Sequence, residues 1–185
     1  MSMDFMKLPP TLQQRLMQEL QPGEVVAWAG QPLPGRLMRQ GFLLWLFFIP
    51  WTAFSLFWMS AASGFQLPNP ARPEVWFALF GLPFLLIGLG GLASPFYMRR
   101  KAASTVYVIT SKRAFTLTLG RSSQMHSWPP EKLGRVSRTE HGDGSGDLVF
   151  ASEEGTPPLG RGFTALRDVR QAELYLNQLL ARRVA

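Results

Sequence analysis

The sequence predicts an α+β membrane protein: a two-helix transmembrane hairpin inserted after the first strand of a small antiparallel β-barrel, with a C-terminal helix capping the barrel. Three observations lead there. Residues 41–62 and 75–98 are charge-free stretches of 22 and 24 residues. Beyond them, from Thr105, apolar residues alternate with a period of two, the mark of half-buried strands. After about Thr164 the spacing becomes helical, with Leu166, Val169, Ala172, Leu176 and Leu179 on one stripe.

Residues 1–22 form an N-terminal segment with an amphipathic helix. Pro9 and Pro10 suit a first helical turn, Leu12, Leu16, Met17 and Leu20 share a side, and Pro22-Gly23 ends it. Two placements are open for it, docked on the folded domain or lying on a membrane surface. Residues 23–35 hold the first strand, EVVAWA at 24–29, stopped by Gly30 and Pro32.

Residues 36–101 are the hairpin. Its spans would measure about 33 and 36 Å as helices, enough for a bilayer core that needs roughly 20 residues. The competing reading is a pair of buried core helices, but a chain of 185 residues has little material to surround two helices that are apolar all round. Pro50 and Pro83 fall near mid-span and predict kinks. The loop 63–74 carries Pro68, Pro70 and Pro73, which discourage a continuing helix. Trp76 and Tyr97 stand at span ends, while Trp45, Trp51 and Trp58 lie deeper, facing a neighbouring helix or lipid. Among the small residues of the second span, Gly90 and Ser94 have the small-xxx-small spacing of close helix packing.

Arg36 and Arg39 precede the first span, and Arg99, Arg100 and Lys101 follow the second; the loop between has Arg72 against Glu74. The positive-inside rule then puts both termini in the cytoplasm. No cleaved signal peptide is expected, because the first long apolar run starts about forty residues in. The formal charge of +7 divides as +1 over residues 1–40, zero over the spans and their loop, and +6 over 99–185.

Residues 102–185 read as the remaining strands and the last helix. TVYVIT (105–110) and AFTLTL (114–119) flank a Ser111-Lys112-Arg113 turn, and a further strand runs through Met125 to Trp128. Residues 136–140 and 147–151 form another hairpin closed by HGDGSG (141–146), where glycines supply positive φ. The final helix is expected over about 164–183, with Asp168 and Arg182-Arg183 suited to its dipole.

The chain contains no cysteine and two histidines, His126 and His141, which removes disulfides, thiolate chemistry and Cys-type metal sites. Asp143 to Glu154 has acidic residues where a calcium loop would, but Leu148 stands at the position that demands glycine. Ser145, His141 and Asp143 crowd into one turn, a poor arrangement for a nucleophile–base–orienter triad, and no G-x-S-x-G elbow exists. Neither Gly142–Gly146 nor Gly160–Gly162 has the Gly-Lys-Ser/Thr and following helix of a phosphate loop. Neither span holds an ionisable residue, which argues against ion transport. The basic residues of 99–185 form no clustered stripe for nucleic acid.

The order of features resembles the bacterial membrane proteins with a pleckstrin-homology-like (PH-like) domain. The resemblance rests on EVVAWAGQP (24–32), TVYVITSKRA (105–114), DGSGDLVF (143–150) and GFTALRDVRQAELYLNQLL (162–180). It implies a PH-like β-barrel with a capping helix at the cytoplasmic face of the bacterial inner membrane, and no catalytic residues.

The expected function is therefore non-enzymatic: an integral inner-membrane protein presenting a cytoplasmic PH-like module for protein or lipid-surface binding. The alternative is an accessory subunit that packs through its aromatic hairpin against a larger membrane complex. Partners are membrane lipids and a protein or membrane complex, not nucleic acid; no cofactor or metal is expected. Arg36, Arg39, Arg99, Arg100 and Lys101 are the candidate lipid-interface residues. Lys112 and Arg113, at a turn tip, read as solvated or as a headgroup or partner contact.

Overall fold

A computed structural model describes residues 6, 8–66, 73–150 and 162–181. The expected features at Pro68, Pro70, Arg72, Glu154, Gly160 and Arg182-Arg183 lie outside them. The chain is α+β and divides into two units, a β unit of residues 1–37 and 100–185 and a helical unit of residues 38–99.

The β unit begins with α1 (Pro10–Glu19) and β1 (Val26–Gly30). Its other strands are β2 (Thr105–Thr110), β3 (Ala114–Thr118), β4 (Gln124–Trp128), β5 (Val136–Glu140), β6 (Gly146–Phe150) and β7 (Gly162–Leu166), followed by α6 (Val169–Ala181). All pairings are antiparallel, in two sheets ordered β1-β2-β3-β4 and β5-β6-β7.

The expected small β-barrel is thus corrected to two sheets, with no ladder joining them among the described residues. β4 ends where Pro129 and Pro130 lack the N–H groups a longer strand would need, and a 3-10 turn, Pro130–Lys132, redirects the chain toward the second sheet.

Every residue of β2 is buried, because the first sheet is covered on both faces. Leu12 and Leu16 of α1 pack on one side with Val106, Val108, Phe115 and Leu117. On the other, Tyr107 and Ile109 join Leu148, Phe150 and Phe163 of the second sheet and Val169, Ala172, Leu176 and Leu179 of α6. Of the two placements open for the N-terminal helix, the structure has the docked one. A register shift in β1 between Val26 and Trp28 lets residues two apart face opposite ways, Val26 toward α1 and Trp28 toward the second sheet.

The last helix starts later than expected: residues 162–166, read in part as helix, form β7. Gly162 has φ +147°, and a Cβ there would collide with the Leu148 carbonyl oxygen, so the close β6–β7 approach requires glycine. Phe163 fills the aromatic core between Trp28, Tyr107 and Phe150. The helix begins only after Asp168, whose Oδ1 accepts the Gln171 N–H at 3.0 Å as an N-cap.

The helical unit contains the last three residues of α2 (Pro34–Gln40), α3 (Phe42–Ala62), α4 (Pro73–Leu79) and most of α5 (Leu82–Ala103). Two segments, Leu44–Ala62 and Trp76–Ala103, are long and apolar enough to cross a membrane. The second is not one continuous helix. It turns at Phe80-Gly81, so Pro83 falls in the first turn of α5, where its missing N–H costs nothing, rather than at a mid-helix kink. Pro50 and Pro95 lie inside α3 and α5.

Candidate functional site

The candidate basic residues divide by what they touch. Arg113 donates through Nε to Glu24 Oε1 at 2.9 Å and through Nη2 to Glu24 Oε2 at 3.2 Å and to the Glu19 carbonyl at 2.7 Å. Its guanidinium also lies 5.1 Å from the centre of the Phe115 ring. Lys112 donates from Nζ to the Pro22 carbonyl at 2.8 Å. Both therefore fasten the β2–β3 turn to the segment between α1 and β1, internal bonds that the readings of a solvated turn or of a headgroup or partner contact did not include. Arg36 is also engaged: Nη2 donates to Asp143 Oδ1 at 3.0 Å and Nη1 lies 2.6 Å from His141 Nδ1. By contrast, Arg39, Arg99, Arg100 and Lys101 are exposed and make no side-chain hydrogen bond or ion pair among the described residues.

Close packing in the helical unit does not use Gly90. A Cβ at Gly90 would meet nothing within 4 Å, whereas one at Gly91 would overlap the Phe48 ring, one at Gly88 would strike Thr52, and one at Gly81 would strike Met59. Gly81, Gly88 and Gly91 therefore form the face of the second segment that meets α3, and Gly90 lies off that face. Ser94 is half-buried. The spacing of seven and then three is the helical repeat that marks one face; the shorter small-xxx-small pattern pointed one residue away from it.

Two deeper tryptophans meet the neighbouring helix as expected. Trp45 Nε1 donates to the Leu92 carbonyl at 3.1 Å and Trp51 Nε1 to the Phe84 carbonyl at 3.0 Å.

The HGDGSG turn gathers charge without forming a catalytic chain. Ser145 donates from both its N–H and its hydroxyl to Asp143 Oδ1, so its hydroxyl is turned to the carboxylate and not to the imidazole. These two hydrogen bonds, with the one from Arg36, hold the Asp143 carboxyl down at about 2. No group of three or more His, Asp or Glu side chains among the described residues is placed to hold a metal ion.

A cleft of about 430 Å³ opens in the β unit among Trp28, Leu33, Pro34, Ala103, Leu166 and Arg167. Both chain connections to the hairpin, through Pro34 and through Ala103, contribute to its wall. Trp28 is 4 % exposed, and its indole nitrogen has no hydrogen-bond partner among the described residues. At the rim Arg167 stands beside Asp168, so the opening has no excess of either charge. Compared with family models, curated proteins and solved structures, the chain matches none. A second cleft, of about 320 Å³ and within the helical unit, is walled by Trp51, Phe54, Trp58, Phe80 and Phe84.

Proposed function

We propose that the chain is a non-enzymatic integral membrane protein that anchors a small binding module to the cytoplasmic face of a bacterial inner membrane. The observation that carries this reading is the surface of the two apolar segments. Only 11 % and 22 % of their most apolar windows is buried, and Phe47, Phe54, Phe57, Leu86, Ile87 and Leu89 face outward. A core helix of a water-soluble protein hides such residues; a bilayer solvates them. Arg39 before the first span and Arg99, Arg100 and Lys101 at the end of the second support an orientation with both termini inside and a role against anionic lipid. The PH-like resemblance belongs to the same proposal, supported by the strand–turn–strand runs of the sequence and by α6 packed into the core of both sheets.

The binding surface of the module, in this proposal, is the cleft beside Trp28. Its wall is mainly apolar, and Arg167 and Asp168 offset each other at the rim, which suits an apolar side chain of a protein partner better than a phosphate. One observation favours a second reading, an accessory subunit of a membrane complex: the aromatic cleft around Trp58 and Phe80 offers a neighbouring helix a place to pack.

The test of the anchor is topological. Single cysteines at Ser63 and Ser104 are labelled in intact cells with a membrane-impermeant reagent. Labelling at Ser63 alone is expected; labelling at Ser104 alone reverses the orientation, and extraction of the protein by alkaline carbonate removes the anchor. Mass spectrometry of chains co-purifying in mild detergent separates the two binding readings, because a lone monomer counts against the accessory subunit.

A further inference from the structure

His141 Nδ1 lies 2.6 Å from Arg36 Nη1 and 3.2 Å from the Ser145 carbonyl oxygen. One ring nitrogen cannot satisfy both neighbours at once. A guanidinium only donates, so the Arg36 contact needs the lone pair of Nδ1 and hence a neutral ring with its proton on Nε2. A carbonyl only accepts, so the Ser145 contact needs a proton on Nδ1, which the imidazolium always carries.

We propose that His141, Arg36 and Asp143 form a proton-sensitive clasp that holds the first turn of α2, residues 34–37, against the β5–β6 turn. With His141 neutral, Arg36 donates to both the ring and Asp143. Protonation removes the acceptor, turns Nδ1–H toward the Ser145 carbonyl and sets a second positive charge against the guanidinium. Arg36 then keeps only Asp143, whose side chain is 64 % exposed and forms an ion pair that water screens.

The surrounding charges leave His141 as the element that changes state. Asp143 stays ionised throughout the range in which an imidazole titrates, since its hydrogen bonds from Ser145 and Arg36 hold it at about 2. Glu140, the residue before His141 and the last of β5, is bound by Arg170 and Arg138. Glu173 of α6 pairs with Arg138. Asp168 caps α6, whose first N–H, that of Val169, donates to the Gly144 carbonyl in the same turn. The clasp lies within the β unit and does not depend on membrane insertion.

The experiment is hydrogen–deuterium exchange, read by mass spectrometry, on the full chain in detergent micelles, with rates corrected for the intrinsic effect of pH. On going from about pH 8 to about pH 5, the wild-type segment 34–40 should lose protection several-fold while β2 and β3 hold theirs. His141→Asn places an amide oxygen where Nδ1 accepts and cannot titrate, so its segment 34–40 should show no such loss. Arg36→Gln should leave that segment equally open at both pH values. Wild-type protection unchanged across the range, or a His141→Asn variant that responds as the wild type does, overturns the proposal. A neutral His141 found by ¹⁵N NMR with its proton on Nδ1 overturns it as well.

Discussion

Arg113 meets Glu24 with two nitrogens on two oxygens, at 2.9 and 3.2 Å, across 89 residues of chain. The Glu24 side chain is completely buried and that of Arg113 is 14 % exposed. A charge so placed survives only if its lone pairs are occupied, and they are: the Thr110 hydroxyl donates to Oε1 and the Gln21 N–H to Oε2, both at 2.7 Å. The pair joins the entry to β1 with the turn after β2, the strands on either side of the hairpin insertion. It thereby fixes where the β unit resumes after the inserted segment.

Arg113→Gln leaves the Glu24 carboxylate buried without its cation. Removing one partner of a buried pair costs about 3–5 kcal/mol, so the thermal midpoint of the β unit in micelles should fall sharply. Arg113→Lys should recover part of the loss, because it restores charge but not the two-pronged geometry. Replacing Glu24 and Arg113 together with leucine should cost less than Arg113→Gln alone. A midpoint unchanged in Arg113→Gln would show the pair to be solvated.

Gly91 and Gly90 are neighbours with opposite expectations. Gly91→Leu drives a side chain into the Phe48 ring, and overpacking of this kind costs about 1–3 kcal/mol. Gly90→Leu extends into open space and should be neutral or slightly stabilising through helix propensity. Unfolding of the two variants in the same detergent, followed by tryptophan fluorescence, distinguishes them; equal losses would refute the packing face described above.

Much of this architecture was legible because its signals are local. The period-two runs at 105–110 and 114–118 became β2 and β3, and the uncharged stretches became the long apolar helices. What escaped depends on residues far apart in sequence. Nothing around Lys112 and Arg113 announces Glu24, so a turn tip read as solvated when it is in fact an internal tie. Leu166 suits a helical stripe as well as a strand, and only pairing with β6 decides in favour of β7. A barrel was expected from the run of strands and the family resemblance, whereas the strands pair as two separate sheets, a division no local signal in the sequence announces. The helix face was nearly found, since Gly81, Gly88 and Gly91 were visible, but choosing between them and Gly90 required the partner helix.

Asp147 supports a conformation that alanine rarely adopts. Ala165 has φ +55°, its N–H donates to Asp147 Oδ1 at 2.6 Å, and its carbonyl accepts the Leu33 N–H at 2.7 Å. The register shift between β6 and β7 falls at this point. Asp147→Ala should strand the buried amide and cost about 1–3 kcal/mol, read as a lower denaturant midpoint. Asp147→Asn keeps an acceptor and should lose less.

Acid should weaken the β unit through Glu24. Burial raises the affinity of this carboxyl for a proton, but the hydrogen bonds from Arg113, Gln21 and Thr110, with the Arg113 charge, outweigh it and leave the pKa below its ordinary 4.5. A carboxyl lowered in the folded state binds protons more readily when unfolded. Its stabilisation is therefore complete above the unfolded value and is lost as pH falls through the folded one. Asp143 acts with the same sign from its value of about 2, but it sits in an exposed turn and should contribute little. Unfolding midpoints measured from neutral pH down to about pH 2 should fall most steeply below the ordinary carboxylate range. Glu24→Gln, which has no proton to gain there, should start lower at neutral pH and decline less on acidification; a decline as steep as the wild type's would place the acid sensitivity elsewhere.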